Sequence, residues 1–285
     1  MPSQVFEAIG TRWTITTDPQ LTASTAASLE SRAAKFDFSY SRFRSDSLVC
    51  QVAERAGSYQ FPSDATPLFS LYRRLYRATD GAVSPLVGRA LEHLGYDAGY
   101  SLHRRSGAVT VPAWDDVLSV EGSVLTTTAP VLLDVGAAGK GYLVDLLADI
   151  LHADGITDYL IDGSGDLAQH GKDVCPVGLE HPLDPTMVIG VANLHNAALC
   201  ASATNRRRWG ENLHHIIDPA TAEPTVGVLA SWVVADTAVV ADGLATALFL
   251  AEPATLADHF DFSYVRMLAS GAVEYSTNFP GEIFR

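Results

Sequence analysis

The chain has 285 residues, of which 47% are hydrophobic and 18% are charged. This composition is typical of an enzyme-sized globular protein with one large core or two closely packed lobes. The 33 acidic residues outnumber the 19 basic ones, for a formal net charge of −14, which argues against nucleic acid as the main ligand because a phosphate backbone is bound by clustered basic side chains.

Three further features of the sequence predict a cytoplasmic protein. No apolar run reaches the roughly 18 residues that span a bilayer, so no membrane span is expected. The N-terminal stretch MPSQVFEAIG has neither the basic nor the apolar region of a signal peptide, and it has no lipidation cysteine. Cys50, Cys175 and Cys200 are odd in number and far apart, unlike a disulfide framework or a CxxC metal site.

The first elements are predicted as a strand, a helix and a polar loop. Residues 6–17 alternate in hydrophobicity like a strand, and residues 21–36 have the spacing of an amphipathic helix. Residues 38–48 are polar and aromatic, so this loop is expected to offer Phe43 or Tyr40 to a planar ring. A surface loop with packed aromatic side chains explains the same pattern.

The next segment is predicted to form two helices, a connection and a hairpin. The first helix covers residues 65–79, with Pro67 in its first turn, and a short helix follows over 88–95. Residues 97–112 are polar and rich in glycine, which indicates a connection with one strand at most. Residues 116–127 have the pattern of a hairpin that turns at a Glu-Gly pair.

A strand, a small-residue turn and a helix are predicted over 130–151. Three apolar residues at 131–133 read as a buried strand end, and the small residues at 136–139 precede a helix with a leucine-rich face. Such a turn can hold a phosphate, because backbone N–H groups approach closely and the helix N-terminus is partially positive. Lys140 would add a full charge. A tight turn without a ligand fits the same stretch.

The C-terminal part is predicted to be rich in strands. Strands are expected within 158–170, 188–200, 229–235 and 262–284, the second range turning near residue 195 and the last holding two strands. A helix is expected up to Leu250, with Asp236 or Thr237 as its N-cap. The chain contains no repeat and no clear linker, so the class is α+β, or α/β with mixed strands.

Several polar side chains in this part are candidates for chemistry. Asp242 and Thr246 lie four positions apart on the predicted helix, hence on one face, and their oxygens suit Mg²⁺. A carbonyl near Gly139 would complete such a site, although a hydrogen-bonded helical pair is the simpler explanation. His215 is a candidate general base. A structural histidine is the alternative, and the neighbouring His214 leaves the assignment open.

The run Arg206-Arg207-Arg208 is a basic spot in an otherwise acidic chain. It is suited to meet a phosphate, and it is equally compatible with a solvated surface.

Taken in order, these pieces resemble the ApbE family of FAD-dependent protein flavinyltransferases. The most specific are HIIDPATAEP, ADGLATALF and DVGAAGKGYLVD, and they are accompanied by GTRW, SRFRSDS, DGAVSPLVG and DGSGDL. The similarity covers about residues 6–251. It implies an α+β fold with mixed sheets and packed helices, in which residues 1–285 form a single compact unit of two intimately joined lobes.

The resemblance also implies a reaction, partners and site residues. FMN is transferred from FAD to a threonine hydroxyl of a target flavoprotein, AMP leaves, and Mg²⁺ is required. The implied metal ligands are Asp242, Thr246 and the carbonyl of Gly139, and His215 is the implied base. Phe43 takes the place of an aromatic against the dinucleotide. The other implied FAD contacts are Ala82, Val83, Ser84, Gly136, Lys140 and Ile217.

The chain departs from the family pattern at small residues. Ala137 replaces a glycine of the turn, Ala222 replaces the glycine after the D-P-x-T motif, and the usual T-S-G triplet reads Ala201-Ser202-Ala203. These changes bear on which acceptor is served more than on FAD binding. Two other functions stay open, namely an FAD pyrophosphatase that gives FMN and AMP, and a non-catalytic FAD-binding protein.

Overall fold

The computed structural model describes residues 2–284. Its helices, in chain order, are α1 (Ala23–Tyr40), α2 (Leu48–Glu54), α3 (Thr66–Ala78), α4 (Gly88–His93), α5 (Trp114–Val117), α6 (Gly139–Ala153), α7 (Ala238–Ala247) and α8 (Pro253–Ala257). A 3-10 turn at Pro85–Val87 precedes α4. None of the helices within 2–284 is long and apolar enough to cross a membrane.

The strands are short and mostly follow one another along the chain. They are β1 (Ser3–Ala8), β2 (Thr11–Asp18), β3 (Gly57–Gln60), β4 (Leu118–Glu121), β5 (Val124–Thr127), β6 (Asp158–Asp162), β7 (Asp166–His170), β8 (Cys175–His181), β9 (Asp184–Leu194), β10 (Ala197–Ala203), β11 (Arg208–Trp209), β12 (Leu213–His214), β13 (Ile217–Asp218), β14 (Glu223–Pro224), β15 (Val228–Ala235), β16 (Ser263–Leu268), β17 (Val273–Tyr275) and β18 (Gly281–Ile283).

An eight-stranded sheet forms the centre, in the order β1-β2-β6-β7-β10-β15-β16-β17. Its neighbouring strands are antiparallel throughout. Two three-stranded sheets accompany it, in the orders β18-β9-β8 and β3-β5-β4. Antiparallel strands that are separate from the helical layer define the α+β class, so this prediction is confirmed.

The central sheet separates two apolar cores, and its inner strand β15 is buried on both faces. In β15, Val233 packs into the core beneath the helices, whereas Trp232 and Val234 pack into the core under β8 and β9. Alternate residues of a strand point to opposite faces. A strand that is buried on both sides therefore needs the almost continuous apolar run that β15 has.

Several local predictions were wrong for identifiable reasons. Residues 131–133 are buried but form no strand, because the neighbouring N–H groups pair with isolated carbonyls, as Asp134 N does with Pro85 O at 2.8 Å. Helix α1 continues to Tyr40, since Phe36 and Tyr40 extend its buried face. Residues 97–112 contain no strand, which agrees with the prediction of a connection with one strand at most.

Two predicted boundaries near the C-terminus also differ. Helix α7 ends at Ala247 rather than at Leu250, and the segment after residue 262 forms three strands rather than two. Thr237 occupies the N-cap position of α7, but its side chain makes no capping hydrogen bond. The carboxylate of Asp145 on α6 accepts from the N–H groups of Ala238 and Val239 instead, at 2.8 Å each.

Candidate active site

A cleft of about 1020 Å³ opens beside the N-terminal end of α6, and a small cavity of about 50 Å³ adjoins it. The two spaces share five wall residues, namely Tyr96, Asp134, Gly136, Arg207 and His215. Polar and aromatic side chains therefore meet where a long ligand in the cleft could send one end into the cavity.

All eleven predicted site residues line these two spaces. The small cavity is lined by Ala82, Val83, Ser84, Gly136, His215, Ile217 and Thr246. The large cleft is lined by Phe43, Gly136, Gly139, Lys140, His215 and Asp242. The fold thus brings together residues from five segments of the chain, and it leaves none of the predicted set elsewhere.

The junction of α6 and α7 positions the two predicted side-chain metal ligands. A Cβ atom at Gly141 would lie 2.1 Å from the carbonyl oxygen of Ala238, so only glycine allows the helices to approach this closely. The Gly141 N–H donates to Oδ2 of Asp242 at 2.8 Å. The hydroxyl of Thr246 lies 3.4 Å from the carbonyl oxygen of Ala137 in the small-residue turn.

Two buried carboxylates make this junction suited to a cation. Asp166 is fully buried, and neither of its oxygens accepts a well-aligned hydrogen bond within residues 2–284. Burial, reinforced by the nearby charge of Asp166, raises the pKa of Asp242 well above its usual range. Lys140 is paired with only one of these two buried carboxylates, so a bound cation would balance the remaining negative charge. Asp242, Thr246 and a turn carbonyl therefore fit a hard metal ion such as Mg²⁺.

The described residues contain no group of three or more His, Cys, Asp or Glu side chains that could hold a metal. A metal at the α6–α7 junction would therefore be bound by carboxylate, hydroxyl and carbonyl oxygens of the protein together with oxygens of the substrate. Mg²⁺ is bound in this way when it keeps several waters and shares substrate phosphates.

Lys140 lines the cleft but is already engaged by protein groups. Its Nζ lies 3.2 Å from Oδ2 of Asp166 and donates to the carbonyl oxygen of Ser164 at 3.1 Å. Burial alone would lower the pKa of Lys140, but the charges of Asp166 and Asp242 outweigh it and raise that pKa. Lys140 therefore stays charged beside the junction.

The two neighbouring histidines have different surroundings, which the sequence left open. His214 is bonded through both ring nitrogens, because Nε2 pairs with Thr225 O at 2.9 Å and Nδ1 accepts from Ile216 N at 3.3 Å. His215 lines both spaces, and its buried Nδ1 has no hydrogen-bond partner within residues 2–284. Burial, with Arg207 nearby, lowers the pKa of His215 to about 3. His215 is therefore neutral near pH 7, which is the protonation state that a general base needs.

An aromatic and charged wall, which the sequence only partly predicted, faces the cleft. Phe43 stacks on Tyr100 with ring centroids 5.1 Å apart and an interplanar angle of 4°. The guanidinium carbon of Arg42 lies 4.2 Å from the Phe43 ring centroid, and Nε of Arg42 lies 2.5 Å from Oδ2 of Asp134. Burial works against ionisation of Asp134, but Arg42 outweighs it and lowers the pKa of Asp134.

Sequence reasoning missed Tyr96, Tyr100 and Asp134 as site residues. Tyr100 had no local signal, because the connection that carries it looks only polar. Asp134 follows the apolar run 131–133, and an acidic residue directly after such a run was the available signal. The sequence indicated Arg207 only as the middle residue of the basic run 206–208.

One departure from the family pattern has a local consequence. Ala222 has a φ of +57°, in the left-handed region that glycine adopts more easily. Its N–H still donates to Asp218 O at 2.7 Å, so the turn that follows His215 keeps its form.

A family model described as "ApbE family" matches residues 9–264. The chain is 32% identical over 208 residues to the FAD:protein FMN transferase of Rhodobacter capsulatus, covering 68% of this chain and 40% of that protein. It is 27% identical over 231 residues to the enzyme of the same name from Vibrio cholerae, covering 74% of this chain and 68% of that one. The chain thus spans about two fifths of the length of one of these relatives and about two thirds of the other.

Solved structures share the fold. The flavin transferase ApbE from Vibrio cholerae superposes with a TM-score of 0.82 at 20% identity, covering 98% of this chain and 97% of that one. The ApbE protein from Thermotoga maritima gives a TM-score of 0.86 at 23% identity and covers 99% of both chains. The predicted ApbE-like α+β architecture is therefore confirmed.

Proposed function

The chain belongs to the ApbE family, and on that premise we propose that it transfers FMN from FAD to a threonine hydroxyl of a target flavoprotein, releasing AMP. The observation that carries the proposal is the convergence of all eleven implied site residues on one cleft and its adjoining cavity. Relatives named FAD:protein FMN transferase support the same activity.

The cleft is suited to a dinucleotide in size and in chemistry. Its volume of about 1020 Å³ lies at the upper end of the range for small-molecule sites. The stacked rings of Phe43 and Tyr100 offer a flat apolar surface for a planar ring system. Ala82, Val83 and Ile217 provide apolar walls in the adjoining cavity.

We propose that Mg²⁺ is held by Asp242, Thr246 and the carbonyl of Gly139. Gly136, in the small-residue turn before Gly139, is exposed and leaves room for substrate oxygens, and Asp242 is a buried carboxylate next to a second one. When bound, Mg²⁺ would neutralise the negative charge of the diphosphate. Asp242, Thr246 and the Gly139 carbonyl would determine the position of that positive charge relative to the diphosphate.

His215 is proposed to act as the general base. Its unpartnered Nδ1 would take the proton of the acceptor threonine while the hydroxyl oxygen attacks the phosphorus on the riboflavin side of FAD. The bond from that phosphorus to the bridging oxygen breaks, and the bridging oxygen leaves with AMP and the bonding electrons. His214 is bonded at both nitrogens and is not available for this step.

The test is an intact-mass assay with FAD, Mg²⁺ and a flavoprotein that carries the acceptor threonine. A mass gain of one FMN on the target, together with AMP, is expected, and a target with that threonine changed to valine should gain nothing. AMP release without a target would identify an FAD pyrophosphatase instead. FAD binding without AMP under either condition would identify a non-catalytic flavin-binding protein.

The matched control within the chain is the histidine pair. His215→Ala should lower the transfer rate by about 100-fold or more, the usual contribution of a general base. His214→Asn, which leaves His215 in place, should reduce activity far less. Equal losses from the two variants would contradict the assignment of the base.

A further inference from the structure

The three consecutive arginines at the rim of the cleft differ in what they contact. Nη2 of Arg206 lies 2.9 Å from Oε1 of Glu180, and Nη2 of Arg208 donates to Oδ1 of Asn212 at 2.8 Å. Arg207 is exposed and forms no ion pair with a carboxylate in the part of the chain that the structure describes. The middle arginine is therefore the one of the three whose guanidinium has no side-chain hydrogen bond or ion pair in that part of the chain.

Arg207 also has the most central position of the three. Only Arg207 among them lines both the cleft and the small cavity, where it shares walls with Asp134 and His215. Its guanidinium carbon lies 6.0 Å from the ring centroid of Tyr96. Arg206 and Arg208 line the cleft alone.

Two other cations that line the cleft are already balanced by carboxylates. Arg42 is paired with Asp134 at 2.5 Å, and Lys140 is paired with Asp166 at 3.2 Å. A doubly charged diphosphate entering the cleft would therefore meet two guanidinium groups without a carboxylate partner, those of Arg207 and Arg208, and only Arg207 also lines the small cavity. Arginine suits this task because its planar donors match two phosphate oxygens at once.

We propose that Arg207 is a catalytic residue that binds the diphosphate of FAD and stabilises the charge on the AMP phosphate as it leaves. The inference rests on the proposed transferase function. In the step itself, the bridging oxygen keeps the electron pair of the broken P–O bond, so negative charge grows on the AMP side. A fixed guanidinium at that position stabilises the transition state more than bound FAD.

The position of Arg207 beside His215 gives it a second effect. Its positive charge, together with burial, favours the neutral imidazole. Arg207 would thus bind the diphosphate and also keep His215 unprotonated. No carboxylate of the described residues pairs with its guanidinium.

The test compares Arg207→Ala, Arg207→Lys and Arg206→Ala for transfer rate, KM for FAD and melting temperature. Arg207→Ala should lower kcat by about 100-fold, as for loss of one donor to a developing oxyanion. Arg207→Lys should keep part of that activity, because it retains the charge without the planar fork. Arg206→Ala removes the same charge from a paired neighbour and should lower kcat by no more than about threefold.

Added guanidinium chloride provides a readout that a purely structural role would not change. Low concentrations should restore part of the activity of Arg207→Ala and leave wild type and Arg206→Ala unaffected. Unchanged kcat in Arg207→Ala, equal losses in Arg206→Ala, or a folded but unrescued Arg207→Ala would each overturn the inference.

The wild-type reaction separates this inference from the proposed function. If wild type transfers FMN while Arg207→Ala does so equally well, the role of Arg207 is wrong and the transferase function stands. If wild type produces neither modified target nor AMP, the proposed function itself fails.

Discussion

The α6–α7 junction and the rim of the cleft bring polar groups to one space by opposite means. At the junction, a glycine contact and backbone hydrogen bonds fix the geometry, as in the 2.8 Å bond from Gly141 N–H to Asp242. At the rim, Phe43 and Tyr100 come from two separate loops and stack on each other through their side chains, and Arg207 lines the same cleft from a third loop.

This difference predicts how each region responds to change. The junction is close-packed, so single substitutions there should disturb both stability and activity. The rim is built from exposed side chains on loops, so substitutions there should change ligand binding or turnover with little effect on folding. The following variants test that division, from the largest expected effect to the smallest.

Asp242→Asn should have the largest effect on activity. Asparagine keeps the size of the side chain but removes the charge that a divalent cation needs, so transfer should fall by at least about 100-fold. The melting temperature of wild type should rise on adding Mg²⁺ with FAD, because a ligand that binds only the folded state stabilises it. The variant should lose that rise, and a full Mg²⁺-dependent shift in Asp242→Asn would contradict the assigned metal site.

Gly141→Ala should have the largest effect on stability. The new Cβ would meet Ala238 O at 2.1 Å and the Asp242 Cβ at 2.7 Å, both on the facing helix. The helices must separate, which should cost about 3 kcal/mol of unfolding free energy and reduce activity as well. Urea denaturation measures the loss. Gly227→Ala, where the added Cβ has nothing within 4 Å, is the control and should change stability by less than about 0.5 kcal/mol.

Tyr100→Ala should weaken FAD binding and leave folding intact. The ring is 53% exposed and stacks on Phe43, so its loss removes about 1 kcal/mol of aromatic contact, or roughly a fivefold change in Kd. Fluorescence titration with FAD measures the change, and Tyr100→Phe should bind almost as wild type does. An unchanged Kd in Tyr100→Ala would mean that the ring serves only to support Phe43.

The junction was largely predictable from the sequence, and the rim was not. Asp242 and Thr246 share a helical face because of their spacing, and the small residues before Lys140 indicate a tight turn. The contact of Phe43 with Tyr100 joins two loops that are distant in the sequence, and neither loop has a periodic pattern from which this contact could be predicted. The distinction between His214 and His215 likewise depends on Thr225, a residue outside their motif.

Contacts between residues distant in the sequence were not predicted at the α6–α7 junction either. The sequence predicted that Asp236 or Thr237 would cap α7, since both are typical N-cap residues. The capping carboxylate belongs instead to Asp145, which lies 93 positions before Ala238. Tertiary packing places the Asp145 carboxylate at the N-terminus of α7, where the partial positive charge of the helix favours a carboxylate. This long-range contact outweighs the local N-cap propensity of Asp236 and Thr237.

That cap gives the smallest expected effect and a distinctive pH dependence. Burial raises the pKa of Asp145 to about 6, so its contribution to stability is fully present below about pH 4 and is lost as pH rises through about 6. Asp145→Asn should cost about 1 kcal/mol of unfolding free energy near pH 4, because the amide NH2 that replaces one carboxyl oxygen cannot accept a hydrogen bond, and this cost should shrink as the pH rises from 4 through 6 and the buried carboxyl group ionises. Urea denaturation across that range measures it, with Asp173→Asn at an exposed position as the control. A cost that does not vary with pH would mean that Asp145 remains ionised throughout, held by the N-terminus of α7 more strongly than burial opposes it.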